Sequence, residues 1–97
     1  MKNNQPMTAE REAAILERSI DRCGEKGSIS GAIGAFNELS EALDRYLCGQ
    51  CSGQEVVDIM GQACVEINIL ELIFGDATEF EIAELERMDA LLREAEK

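Results

Sequence analysis

The chain has 97 residues, 45% of them hydrophobic but only 4% aromatic, with 9 basic against 20 acidic side chains and no histidine. That length accommodates one domain with a small aliphatic core, and the supply of Leu, Ile, Ala and Glu favours an all-α fold. A formal net charge of −11 repels a phosphate backbone and argues against general nucleic-acid or anionic-membrane binding.

Residues 1–7, MKNNQPM, read as a disordered tail ahead of a single helical domain over 8–97. The tail lacks the apolar centre of a signal peptide, which points to the cytoplasm. Thiols are expected to be reduced there. Thr8 is an N-cap for a first helix that runs to about Cys23 and stops at Gly24. Its apolar seam is Ala13, Leu16, Ile20 and Cys23, and Arg11, Arg18 and Arg22 form a basic edge on the other side. That edge is either a solvated surface paired with Glu10, Glu17, Asp21 and Glu25 or a face that meets an anion.

The GEKGS stretch at 24–28 reads as a loop, with Ser28 or Ser30 capping a second helix from Ile29 to Leu47. Ile29, Ala32, Ile33, Phe36, Leu39, Leu43, Tyr46 and Leu47 make its apolar face. Gly31 and Gly34 inside it cost about 1 kcal/mol each relative to Ala, so a close approach by a helix or a ligand is expected there. A turn, CGQCSG at 48–53, carries Cys48-x-x-Cys51. It follows a helix C-terminus with no strand nearby, so neither a redox dithiol nor half of a zinc site fits it well.

The longest apolar stretch is 55–75, EVVDIMGQACVEINILELIFG. Val56, Met60, Ala63, Ile67, Leu70 and Phe74 follow helical spacing, with Val57, Cys64, Val65, Ile69, Leu72 and Ile73 on the flanks. A helix apolar over most of its circumference must be covered on several sides, and a second copy of the chain is the expected cover. Asp58, Glu66, Asn68 and Glu71 disqualify it as a membrane span. Gly75 and Asp76 end it, and a last helix from about Thr78 to Glu94 carries Ile82, Leu85, Met88 and Leu92 on one side and charge elsewhere. Four helices completed by homo-oligomerisation are therefore expected.

The spacing SID-x-x-G (19–24), AI-x-x-x-x-EL-x-x-AL (32–43), YL-x-G (46–49), EVVD (55–58) and L-x-LIFG (70–75) resembles the short MazG-like nucleotide pyrophosphohydrolases of bacteria and their phages, over most of residues 15–95. The resemblance implies an all-α oligomer with a Mg²⁺ site formed by Glu-Glu-x-x-Glu on one inner helix and Glu-x-x-Asp on the other. This chain departs from that pattern. In the ungapped register the first motif becomes Gly34, Ala35, Phe36, Asn37, Glu38 and the second Ile59, Met60, Gly61, Gln62, so only Glu38 remains as a carboxylate.

The resemblance, with its cation ligands gone, implies a nucleotide pocket that binds without cleaving and needs no metal cofactor. Such a protein sequesters or senses a nucleotide or a nucleotide-derived signal such as a cyclic dinucleotide, for instance as a viral anti-defence sponge. Asn37, Glu38 and Gln62 are the candidates for contacts to base or sugar, and Arg18, Arg22 and Lys26 for the phosphates. Two alternatives remain open. One is a Mg²⁺-dependent hydrolase using a displaced carboxylate set of Glu38, Glu41, Asp58 and Glu66. The other is an acidic helical module that docks on a protein partner.

Overall fold

The computed structural model describes residues 6–96 as three helices: α1 (Ala9–Leu47), α2 (Gly53–Phe74) and α3 (Thr78–Ala95). Among the described residues there is no strand. The expected tail falls mostly outside the described residues. Thr8 caps α1 as expected, its Oγ1 accepting the Arg11 N–H at 3.1 Å. The expected loop at 24–28 is replaced by one residue. Gly24 at φ 76, ψ 170 ends the first half of α1, and its extended ψ starts the second half at once. A side chain at that φ is strained, so glycine makes the sharp bend possible.

The second half of α1 and α2 form an antiparallel hairpin. A short turn follows Cys48, the C-cap of α1, and Ser52 caps α2 by accepting the Glu55 N–H at 3.2 Å. A Cβ built on Gly53 would lie 3.9 Å from Tyr46, and one on Gly31 would lie 3.7 Å from Glu66 Oε1, which sets the register from the turn to the far end. Inside the turn the Cys51 thiol donates to the Ala42 carbonyl at 3.4 Å. All four cysteines are free.

The seam between these helices sets mostly small residues of α1 against mostly larger aliphatic residues of α2. On α1 it runs through Ser28, Ala32, Ala35, Leu39 and Ala42, and on α2 through Val56, Ile59, Ala63, Glu66, Leu70 and Ile73, alternating three and four positions as packed helices do. Ala42 is fully buried and Ala32 is 2% exposed. This corrects the expected facing. Ile33, Leu43, Tyr46 and Leu47 on α1, and Met60, Ile67 and Phe74 on α2, lie outside the seam, with Leu47 82% exposed. On α1 the most buried positions are Ser28, Ala32 and Ala42, and on α2 they are Val56, Ala63 and Ile69. Each alanine contributes only about 0.8 kcal/mol where a buried leucine contributes about 1.5–3 kcal/mol.

The first half of α1 folds back across α2. Leu16 and Ile69 are buried, and the Asn68 side-chain amide donates to Glu12 at 3.3 Å. Ile20 of the expected seam is half-buried, whereas Ala13 and Cys23 are exposed. α3 packs against neither α1 nor α2, and none of its residues is buried. No helix is long and apolar enough to cross a membrane among the described residues.

Candidate functional site

Advancing one residue along a helix turns the side chain by about 100°. Because α1 and α2 run antiparallel, positions one step before the seam on each helix turn to the same side of the hairpin, and positions one step after it turn to the opposite side. The preceding positions are Gly27, Gly31, Gly34, Glu38, Glu41 and Arg45 on α1, with Glu55, Asp58, Gln62, Val65, Ile69 and Leu72 on α2. The first half of α1 covers the Ile69 end of that side. The remainder is an open groove of about 540 Å³ lined by Gly31, Gly34, Ala35, Glu38, Gln62, Val65 and Glu66.

Three glycines of α1 face this side, so helix backbone forms one wall. A Cβ on Gly34 would meet nothing within 4 Å. The neighbouring helix therefore gives no reason for glycine at that position. Ser28, one turn before Gly31, is 6% exposed, and its Oγ is buried without a hydrogen-bond partner.

The expected site residues separate into three groups. Glu38 and Gln62 come together in the groove. Arg18 and Arg22 line a second depression with Ile15, Ser19 and Asp21. Neither arginine forms an ion pair among the described residues, although Glu17, Asp21 and Glu25 are close in sequence. Ile15 also borders an apolar pocket with Met7, Glu12, Leu16, Val65 and Asn68, and Val65 borders the groove. Ile15 is thus shared by the arginine depression and the apolar pocket, and Val65 by that pocket and the groove. Lys26 and Asn37 are exposed and line neither depression. Each stands two positions from a seam residue, Ser28 and Ala35 respectively, and so lies on the outer side of α1.

Sequence reasoning had placed Glu66 only in a displaced carboxylate set, yet it lines the groove beside Gln62. The signal was its i+4 spacing from Gln62, which puts both on one helix face. The groove's donor set does not fit a Mg²⁺ clamp, which needs several oxygen ligands converging at about 2.1 Å. Glu38 and Glu66 are its only carboxylates, and among the described residues Glu38, Glu41, Asp58 and Glu66 form no cluster of metal-holding geometry. What the groove offers is carboxylate oxygens and one side-chain amide that can hydrogen-bond a polar ligand. No protein-family model, curated protein or solved structure matches this chain.

Proposed function

We propose that the chain binds a nucleotide or nucleotide-derived signal in the glycine-floored groove and holds it without cleaving it. The observation that carries this reading is the run of depressions, sharing Ile15 and Val65, that links the Arg18–Arg22 edge to Glu38, Gln62 and Glu66. Base and sugar sit against bare helix backbone, hydrogen-bonding the amide and carboxylates. Phosphates reach toward the two guanidiniums, which form no ion pair among the described residues. The resemblance to MazG-like proteins supports the same ligand class. The reduced acid set supports binding without turnover: Glu38 and Glu66 remain in the groove, too few to clamp a Mg²⁺ ion, and phosphates avoid their repulsion by lying on the arginine side. The chain acts as a self-associated helical assembly, its apolar surface covered by further copies, and removes its ligand from circulation.

Thermal denaturation with a panel of nucleoside mono-, di- and triphosphates and cyclic dinucleotides, with and without Mg²⁺, tests this. A ligand at a hundred times its Kd stabilises by about 2.7 kcal/mol. We expect such a shift for at least one compound without Mg²⁺, and its loss in the Arg18→Glu/Arg22→Glu variant. No shift from any compound, or release of pyrophosphate from a triphosphate at catalytic rates, would refute the proposal.

A further inference from the structure

The positions one step after the seam define the other side of the hairpin. They are Ile29, Ile33, Phe36, Ser40 and Leu43 on α1 and Val57, Met60, Cys64, Ile67, Glu71 and Phe74 on α2, and most of them are exposed. Apart from Ser40 and Glu71 this is an apolar face on the side away from the groove. α3 presents a second uncovered apolar surface through Ile82, Leu85, Met88, Leu91 and Leu92, all about half exposed.

We infer that α3 of one copy packs on the apolar face of the α1–α2 hairpin of a second copy, and receives that copy's α3 on its own hairpin. This deepens the self-association proposed above and is independent of the ligand. The first argument is area. The chain exposes 7827 Å², whereas a compact monomer of 10.7 kDa exposes about 5,500 Å². The excess, about 2,300 Å² per chain or about 4,600 Å² for a pair, falls within the total area that obligate dimers bury. The radius of gyration, 17.1 Å, exceeds the roughly 12.5 Å of a compact domain of this length in the same sense.

The second argument is the link from α2 to α3. The Gly75 N–H donates to the Glu71 carbonyl at 2.9 Å, the Ala77 N–H to the Glu71 carboxylate at 3.0 Å, and the Thr78 N–H and hydroxyl to Asp76 Oδ1 at 3.0 and 2.7 Å. Those bonds order the link between the two helices, and in that arrangement α3 makes no packing contact with its own hairpin. The third argument is economy of cover. Two hairpin faces packed together would leave both α3 surfaces in water, whereas reciprocal exchange about one two-fold axis covers both kinds of surface at once. α3's outer side, with Glu79, Glu86, Arg93 and Glu94, then faces solvent.

Light scattering on two full-length variants tests the exchange. One carries Leu85→Glu and Leu92→Glu in α3; the other carries Ile33→Glu and Met60→Glu on the hairpin face. We expect each alone to be monomeric, and the equimolar mixture to form a heterodimer joined by the one intact α3–face contact. A dimeric α3 variant, or a mixture that stays monomeric, overturns the exchange while leaving self-association standing. A monomeric parent protein overturns both. Should either variant lose its helical circular dichroism, isotope-filtered NOE measurements on a labelled and unlabelled mixture of the parent decide the matter. Intermolecular contacts from Leu85 and Met88 methyls to Ile33 and Met60 are expected, and purely intramolecular ones refute the exchange.

Discussion

Gly34 separates what the free protein needs from what its ligand needs. It lies inside α1 with no positive φ, and a Cβ there would have no neighbour within 4 Å. The substitution Gly34→Ala therefore meets no clash and removes the backbone entropy that glycine loses on entering a helix, about 0.5–1 kcal/mol. At about 4–8 °C per kcal/mol for a domain of this size, the melting temperature rises by about 2–8 °C. Gly61 in α2, where an added Cβ also meets open space, is the control on the outer side of the hairpin, and Gly61→Ala gives a gain of the same order. The two diverge in binding. A methyl on the groove floor separates the ligand from the helix backbone, so Gly34→Ala weakens the nucleotide found by thermal shift at least about tenfold, or about 1.4 kcal/mol. Gly61→Ala leaves its affinity unchanged. Differential scanning calorimetry gives the first quantity and isothermal titration the second. A melting temperature below that of the parent would refute the open-groove geometry, and unchanged affinity in a stabilised Gly34→Ala protein would refute the groove as the binding site.

Two further predictions concern the backbone. Gly24→Ala places a Cβ at φ 76, ψ 170, a region that costs a non-glycine residue about 1–3 kcal/mol; chemical denaturation should show a loss of that order, and an unchanged midpoint would mean that α1 does not bend there. Asp76 accepts from the Thr78 hydroxyl and N–H, and those bonds hold its carboxyl below the ordinary value of 3.8. A depressed carboxylate stabilises the fold above its unfolded pKa and ceases to do so as pH falls through the folded one. Amide protection in the first turn of α3 should therefore fall on acidification below pH 3.8, and should be insensitive to pH there in Asp76→Ala.

The helices and two of their caps were legible in the sequence because each rests on local chemistry, a hydroxyl at Thr8 and a glycine after Phe74. The facing of the hairpin was not. On both inner helices two adjacent stripes are compatible with burial, and periodicity identifies both equally well. The expected faces include Ala32, Leu39, Val56, Ala63 and Leu70 of the seam but merge them with Ile33, Met60 and Ile67, which the structure leaves exposed. The bend at Gly24 escaped because one glycine served both as the end of one helical segment and the start of the next. At the site, Glu38 and Gln62 meet because each precedes the seam by one residue. Lys26 and Asn37 do not join them, and their outward direction follows from a seam position that only the structure supplied.

The seam has a consequence for how the chain behaves in dilute solution. Among the described residues no large side chain is fully buried, so a single copy rests on a small core of three alanines with Leu16, Val56 and Ile69. Most of the oily surface that drives folding belongs to faces that one molecule cannot shield from water by itself. If copies associate as proposed above, pairing adds to the stability of each, and the melting temperature rises with protein concentration.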